Sequence, residues 1–382
     1  MDFVCFSVNN WEKRRARKQQ FMLLLSLRED VGKVLYIEPP LNIWRLLLFA
    51  FFELKTAENR GRWKMALAFE FESLSEKLFL FTPIFFMPFA FRIGVIYKIN
   101  LFFVYLFVRK NLKILSFKNM ILWFYHPFDY PLLEWFKDRT LACFDWAEEW
   151  AEFFIEYSQT KRSFIKILEE RIISRVDLVF VVSQRLLAKS RTLNEFSYQI
   201  RDGTTPEIFS SYDGSVPEDL KHIKHPIVGY GGTFYERLDM NLIKELSEKL
   251  PECSLVFVGN IQYDCADVSE LKKRANIFFL GGKRYEELPS YLMNFDVCIA
   301  PYVLSFLTPP PTKMYDYLAT GKPIVSTALP ELEELREWIK LADSNEQFIN
   351  LVKESLTEKN FELSQKRRAK AQENSWQARA DE

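Results

Sequence analysis

The residue types best suited to chemistry are concentrated in the segment LTPPPTKMYDYLATGKPIVST, which starts at position 307. Thr308, Thr312 and the intervening prolines predict a helix start, and Gly321, followed by a proline two residues later, predicts the end. The predicted helix covers residues 311–320, about three turns. Its unpaired N–H groups and positive dipole end would suit a diphosphate.

Two side chains of this helix could contact such a ligand. Lys313 lies in the first turn, where a positive charge is mildly unfavourable unless an anion is bound nearby. Asp316 is three residues from Lys313 and four from Thr312, so the three side chains share one helix face. We expect Asp316 to accept hydrogen bonds from ligand hydroxyls. The alternative is a surface ion pair between Lys313 and Asp316.

Two further loops follow strand-like segments. In GYGGTFYERLD, the backbone N–H groups around Gly231, Gly232 and Thr233 could approach an anion, and Arg237 adds a positive charge. The alternative is a tight turn, because the glycine spacing fits neither the dinucleotide-binding fingerprint nor the P-loop.

The other loop is FLGGKRYEELPSYL, in which Lys283, Arg284 and Tyr285 occupy the tip before the next helix. This tip could contact a nucleotide base. A solvated loop entering the helix is the alternative reading.

Short β-rich runs alternate with helical patterns, which predicts an α/β fold built from parallel βαβ units. Ligands of such sheets bind beyond the carboxyl ends of the strands, where the three loops lie. The length of 382 residues favours two domains. We predict an N-terminal domain at 1–205, a ligand-binding domain at 206–365, and a charged helix or tail at 366–382.

The composition excludes several functional classes. The 51 basic and 51 acidic residues cancel, so there is no global signature of nucleic-acid binding. The five cysteines form no CxxC pair, which is typical of free thiols in a reducing cytoplasm, and only three histidines are present. We therefore predict no dedicated metal site.

At this point the motifs resemble a known family. PTKMYDYLATGKPIVST, together with SLVFVG, NIFFLGG and GGTFYERLD, resembles the C-terminal half of glycosyltransferase family 4, in particular its bacterial cell-surface polysaccharide branch. The resemblance covers residues 226–356 well and the N-terminal half more faintly. It implies the GT-B fold, two Rossmann-like doubly wound parallel-sheet domains facing across a cleft.

The resemblance also implies the reaction. A sugar would pass from a nucleotide-diphosphate sugar to a hydroxyl of a glycan or lipid-linked acceptor, with retention of configuration and without a metal or other cofactor. The cationic groups and the helix N–H groups would stabilise the leaving diphosphate.

Carried over to individual positions, the family's paired acids fall on Thr308 and Asp316, so only one of them is acidic here. Asp316 replaces the Glu that usually binds the nucleotide ribose. Arg237 corresponds to the basic residue near the diphosphate, and Lys313 compensates for a second Arg that is absent. His126, after a strand, lies where the family often places a His against the donor sugar; a structural histidine is the alternative.

The missing acid at Thr308 keeps open a non-enzymatic alternative, a degenerate protein that binds sugar nucleotides or scaffolds a polysaccharide assembly system. A nucleotide-sugar epimerase is disfavoured because the chain has few histidines for acid–base work.

The expected location is the cytoplasm, with the N-terminal domain touching the inner membrane surface. The basic run at 13–18 could engage anionic headgroups, while Phe85, Phe86, Phe89 and Phe91 could insert beside it. The alternative is a solvated basic helix face and phenylalanines that belong to the core.

Overall fold

The chain forms two compact units, Met1–Arg201 and Asp202–Glu382. A computed structural model describes residues 1–11, 16–89, 94–153, 158–262, 268–304 and 312–382.

The first unit is an α/β unit around one large sheet. Its strands are β1 (Asp2–Phe6), β2 (Val34–Ile37), β3 (Leu41–Asn42), β4 (Glu72–Ser73), β5 (Leu78–Phe81), β6 (Ile84–Phe85), β7 (Met120–Phe124), β8 (Leu141–Trp146), β9 (Leu178–Val181) and β10 (Ser197–Gln199). Its helices are α1 (Arg17–Leu27), α2 (Ile43–Glu53), α3 (Ala57–Ala68), α4 (Gly94–Ile114), α5 (Tyr130–Trp135), α6 (Trp150–Phe153), α7 (Gln159–Ile173) and α8 (Gln184–Arg191).

Eight of these strands pair in the order β10-β9-β8-β7-β1-β2-β5-β4. Neighbours are parallel except for β4, which runs antiparallel to β5. β3 and β6 form a separate small parallel pair. Strands such as β1 and β7 are buried along their whole length, as expected when helices cover both faces of a parallel sheet.

The second unit has a fully parallel six-stranded sheet in the order β13-β12-β11-β14-β15-β16. Its strands are β11 (Ile227–Gly231), β12 (Ser254–Val258), β13 (Ile277–Gly281), β14 (Val297–Ala300), β15 (Ile324–Thr327) and β16 (Lys340–Ala342). Its helices are α9 (Pro206–Ser210), α10 (Met240–Lys249), α11 (Ser269–Lys272), α12 (Leu288–Leu292), α13 (Lys313–Thr320), α14 (Asn345–Leu356), α15 (Phe361–Glu373) and α16 (Trp376–Asp381). Strand order reverses at β11. The strands β12 and β13 lie on one side of it, and β14, β15 and β16 lie on the other.

The beginning and the end of the second unit are hydrogen-bonded to each other. The Thr204 N–H donates to the Asn374 carbonyl at 3.0 Å, and the Trp376 N–H donates to the Thr204 carbonyl at 2.9 Å. The backbone of residues 374–376 packs so closely on Gly203 that a Cβ there would clash with it. In α15, the buried Arg367 pairs with Glu358 at 2.5 Å. The charged C-terminal segment is therefore helical and packed against its unit.

Two predicted helices differ from those observed. The sequence pattern predicts one long helix from 146 to 174, but Trp146 ends β8, because LACFDW pairs with β7 on one side and with β9 on the other. Two helices, α6 and α7, follow it, separated by residues outside the described part. The predicted three-turn helix at 311–320 is represented by α13, with eight residues. Across the described ranges, every helix is too short or too polar to cross a bilayer.

Candidate functional site

The carboxyl ends of β11 and β14 lie at the same edge of the second sheet and are tied together by the loops that leave them. Leu238 forms a bridge with Tyr302, and the Val303 N–H donates to the Arg237 carbonyl at 2.9 Å. This holds the loop after β11 beside the segment that leads towards α13. β11 connects to β12 on one side and β14 connects to β15 on the other, and open α/β sheets bind ligands in the crevice at such a reversal of strand order.

Lys313 provides a positive charge at this edge. Its Nζ donates a 2.5 Å hydrogen bond to the Tyr230 hydroxyl and lies 4.1 Å from the centroid of the Tyr230 ring. The Tyr302 ring centroid is 5.5 Å away on another side. Two aromatic rings therefore orient the ammonium group in the first turn of α13, where the helix dipole also favours an anion.

Gly232 makes room for that lysine. Its φ of +144° lies in the region that favours glycine, and a Cβ at this position would collide with the Lys313 Nζ. The glycine predicted to let an anion approach the backbone therefore lets a cationic side chain approach it.

The N–H groups of the two predicted glycines already have protein partners. The Gly231 N–H donates to the Tyr317 hydroxyl at 2.8 Å, and the Gly232 N–H donates to the Val258 carbonyl at 2.8 Å, because pairing with β12 continues to the end of β11. An anion could use these N–H groups only by displacing those bonds. The exposed Thr233 contributes its carbonyl, which accepts a hydrogen bond from the Tyr230 hydroxyl at 2.9 Å.

Asp316 is buried, with 6% of its surface exposed. Its Oδ1 accepts hydrogen bonds from the hydroxyls of Thr204 at 2.6 Å and Tyr285 at 3.0 Å. Burial raises the pKa of the Tyr285 hydroxyl, and the neighbouring Asp316 charge raises it further. The structure therefore brings two predicted site residues together, and the burial of Asp316 rules out a surface ion pair with Lys313.

The other predicted residues of this unit have partners of their own. The Lys283 ammonium pairs with the Asp219 carboxylate at 2.6 Å, and this hydrogen bond raises the pKa of Lys283. The Arg237 guanidinium lies 5.7 Å from the centroid of the Tyr235 ring. Thr312 precedes α13 with an already helical backbone, φ −50° and ψ −34°, whereas a capping residue has an extended one. Thr308 lies outside the described residues.

His126 belongs to the first unit. Its ring stacks on Phe128 at 4.8 Å and meets the Trp150 ring edge-on at 4.6 Å, both between centroids. Burial, and to a smaller extent the positive charge of Lys18, lowers the pKa of His126 to about 3. The imidazole is therefore neutral and packed between aromatics, as in the structural alternative, and its role against a sugar stays a prediction.

Tyr230, Tyr302 and Thr204 lie near the site but were not identified from the sequence. Tyr230 and Tyr302 end or follow buried strands, so they read as core aromatics, and Thr204 sits in a stretch that reads as a linker. The only usable hint is that both tyrosines lie at carboxyl ends of strands. Within the part of the chain that the structure describes, no group of three His, Cys, Asp or Glu side chains could hold a metal ion.

Comparison with known families decides what kind of domain carries this site. Residues 226–357 match the sequence model of the family described as "Glycosyl transferases group 1". This stretch of the chain is therefore similar to that family. The matched stretch begins just before β11 and ends with α14, so it includes Lys313, Asp316 and both tyrosines.

A curated relative supports the same family. The chain is 29% identical over 229 residues to the putative teichuronic acid biosynthesis glycosyltransferase TuaH of Bacillus subtilis. The matched region covers 56% of this chain and 57% of the relative, so the chain spans little more than half of that protein's length.

Solved structures extend the likeness to the whole chain. A sucrose-phosphate synthase from Thermosynechococcus elongatus has a TM-score of 0.71 at 15% identity, covering 100% of this chain and 96% of that one. Anabaena HepE, crystallised with UDP-glucose, has a TM-score of 0.63 at 13% identity, with 100% and 97% covered. At these identities the likeness shows the fold, and the prediction of a GT-B fold with two Rossmann-like units is confirmed.

Proposed function

We propose that this protein transfers a sugar from a nucleotide-diphosphate sugar to an acceptor hydroxyl during cell-surface polysaccharide or glycolipid synthesis. The observation that carries the proposal is the ammonium group of Lys313, which lies at the start of α13 beside Gly232 and two aromatic rings. A fixed cation at a helix N-terminus beyond a parallel sheet is suited to the charge that develops on a leaving diphosphate.

The proposed roles follow from the charges. Lys313 and the first N–H groups of α13 neutralise the diphosphate, and Arg237 adds a second cation from the loop after β11. Asp316 accepts a hydrogen bond from a ribose hydroxyl in exchange for that of Tyr285, whose hydroxyl is at 3.0 Å.

We further propose retention of configuration, as the resemblance to family 4 implies. The bond between the anomeric carbon and the phosphate oxygen breaks, and the acceptor oxygen forms a bond with the same face of that carbon. The acceptor proton passes to the leaving phosphate oxygen. The cationic groups take the place of a divalent metal in stabilising that oxygen. The coupling constant of the anomeric proton, measured on fresh product, reports the configuration of the anomeric carbon. A configuration opposite to that of the donor would contradict retention.

The names of similar proteins guide the choice of substrates. TuaH is named for teichuronic acid biosynthesis, and HepE was crystallised with UDP-glucose. We propose a UDP-sugar as donor and a glycan or lipid-linked glycan as acceptor. The alternative of a non-catalytic scaffold is less favoured, because the family domain retains both a cation and a buried acid at the proposed donor site.

The donor site can be tested by thermal unfolding with UDP-, GDP-, ADP- and TDP-sugars. A ligand at 100 times its dissociation constant stabilises the folded state by about 2.7 kcal/mol. We expect Lys313→Met to abolish this stabilisation, and Lys353→Met, which removes an exposed lysine from α14, to retain it. If none of the four donors stabilises the wild-type chain, the proposal fails. Donor binding without transfer to any glycan would favour the scaffold alternative.

We also propose that the protein works in the cytoplasm at the inner membrane surface, where lipid-linked acceptors are presented. Fractionation of cells should recover it with membranes at low salt and release part of it at high salt, because electrostatic attachment is screened. Recovery with the soluble fraction under both conditions would contradict this location.

A further inference from the structure

The predicted membrane contact uses residues that the structure places in the interior. Arg17 forms a buried ion pair with Asp145 at 2.9 Å, and the buried Lys18 ammonium lies 5.3 Å from the centroid of the Tyr125 ring. Phe85 is buried as well. These three residues cannot contact a bilayer, so this part of the prediction is wrong. The basic residues 13–15, and Phe91, lie outside the described residues.

A different surface of the same unit exposes large apolar side chains. Every residue of α2 is half-buried or exposed, although its sequence, IWRLLLFAFFE, is almost entirely apolar. Leu47 and Phe51, one turn apart, are 66% and 79% exposed, and Leu48 lies beside them. Helices of soluble proteins usually bury such a face.

The long helix α4 carries a second exposed apolar stripe. Val95, Ile99, Phe102 and Leu106 recur at helical spacing and are exposed. The opposite stripe, which includes Leu101, Val104 and Val108, is buried in the core of the first unit. This helix is therefore apolar on both sides, and only one of them is buried in the core of the first unit, although the Phe102 ring also meets the Trp135 ring edge-on.

The segment around Phe86 connects α2 to α4. The Trp44 Nε1–H of α2 donates to the Phe86 carbonyl at 2.9 Å, and the Phe86 ring packs on Phe103 and Phe107 of α4. The Met87 N–H donates to the Asn100 side-chain oxygen at 2.9 Å, which also fixes this segment to α4. We call the exposed faces of α2 and α4, together with the exposed Met87 and Phe89 between them, the apolar patch.

Exposed lysines lie along α4 in the apolar patch. Between positions 41 and 118 the chain has twelve Lys and Arg but five Asp and Glu, whereas the whole chain is neutral. Lys98 is exposed within the stripe of α4, and the exposed Lys110 and Lys113 continue it. Apolar side chains flanked by lysines are the pattern of a surface that binds an anionic bilayer.

We infer that the apolar patch inserts into the surface of a bilayer that contains anionic phospholipid. A second copy of the chain is a poorer occupant, because a twofold interface would bring two patches of the same positive excess together. This inference gives the proposed membrane location its contact surface. It rests on that location and is independent of the donor site.

Flotation of the full chain with vesicles tests the inference. The vesicles are phosphatidylcholine alone, or about seven parts phosphatidylcholine to three parts phosphatidylglycerol, each at low and high salt. We expect the floating fraction to be at least about fivefold larger with the anionic vesicles at low salt, and to decrease at high salt.

Variants identify the surface. The pair Leu47→Asp with Phe51→Asp, and separately the pair Phe102→Asp with Leu106→Asp, should reduce flotation about tenfold. Phe361→Asp is the matched control, because Phe361 is 76% exposed in α15 of the second unit. It should float like the wild type. Circular dichroism and thermal unfolding check that each variant is folded.

Each outcome has a defined meaning. Wild-type protein that stays at the bottom of every gradient overturns the inference, as do patch variants that float like the wild type. A wild-type dimer that the patch variants convert to monomer, without flotation in either case, would assign the patch to a second copy. Stabilisation by UDP-glucose in lipid-free solution should survive in all variants. Its absence from the wild type would count against the proposed donor site only.

Discussion

Thr204 and Asp316 are separated by 112 positions in the sequence, and the Thr204 hydroxyl donates a 2.6 Å hydrogen bond to Asp316 Oδ1. Both residues are buried. Asp316→Ala would leave the Thr204 hydroxyl without its acceptor, which costs about 1–3 kcal/mol. Asp316→Asn keeps a side-chain oxygen at this position, so its free energy of unfolding should lie within about 1 kcal/mol of that of the wild type.

The same pair of variants separates structure from function. We expect Asp316→Asn to reduce sugar transfer at least about tenfold, since the charged acceptor for a ribose hydroxyl is lost. Urea unfolding and a transfer assay on one preparation measure both effects. Normal turnover in Asp316→Asn would remove this residue from the proposed donor site.

Arg237→Ala should lower transfer at least about tenfold without a change in thermal stability. The loop that carries Arg237 is held by main-chain contacts with Tyr302 and Val303, so removing the guanidinium leaves those contacts in place. Arg336→Ala is the control, because Arg336 is exposed and pairs only locally, with Glu333 at 2.6 Å. Equal activity in the two variants would argue against a diphosphate contact for Arg237.

Gly232→Ala tests whether the space over this residue positions Lys313. The variant introduces a Cβ at φ +144° against the Lys313 Nζ, whereas Gly214→Ala introduces one at φ +84° into open space. Backbone strain should cost about 1 kcal/mol in both variants, but only Gly232→Ala should weaken donor binding. Calorimetric titration with UDP-glucose distinguishes them. Wild-type affinity in Gly232→Ala would show that the lysine does not need this space.

Glu169 should make the first unit less stable as the pH rises towards neutrality. Burial raises the pKa of Glu169 to about 7, against the hydrogen bonds that its Oε1 accepts from Trp146 Nε1–H at 2.9 Å and the Trp150 N–H at 2.7 Å. A raised folded-state pKa contributes stability that is fully present below the unfolded-state value and lost as the pH rises through about 7.

Glu169→Gln keeps an Oε1 acceptor but cannot ionise. We therefore expect the free energy of unfolding of the wild type to fall relative to this variant by about 2–3 kcal/mol between pH 4.5 and 8. Urea unfolding across this range provides the measurement. Parallel curves for the two proteins would show that Glu169 keeps its ordinary pKa.

Removal of divalent ions should leave transfer largely intact, because Lys313 and Arg237 are proposed to neutralise the leaving diphosphate. The assay compares initial rates with excess EDTA and with added magnesium. A strict magnesium requirement would contradict the proposed metal independence, while leaving the choice of donor open.

The sheets were predictable from local sequence because their strands are short apolar runs. SLVFV of β12 is buried throughout, as such a run requires. The end of α13 at Gly321 could also be predicted from the sequence, because this residue adopts a left-handed φ of +74°, which glycine tolerates best. In both cases, information within a few residues was sufficient.

Contacts over long sequence separations were not predictable. Arg17 reads as part of a solvated basic run, yet Asp145, 128 positions away, pairs with it in the interior. Tyr230 reads as a core residue, and only the packing of α13 on the sheet reveals that its hydroxyl receives a hydrogen bond from Lys313. The chemistry of both residues depends on partners that no local pattern specifies.

The hydrogen bonds between Thr204 and residues 374–376 join the beginning and the end of the second unit beside the proposed donor site. Thr204 pairs on one side with Ser375, between α15 and α16, and on the other side donates its hydroxyl hydrogen bond to the carboxylate of Asp316. A chain shortened before Asn374 would therefore release the residue that orients this carboxylate, although the cut lies more than fifty residues from it in the sequence. The junction between the last two helices therefore fixes Thr204 and, through it, the position of the Asp316 carboxylate in the proposed donor site.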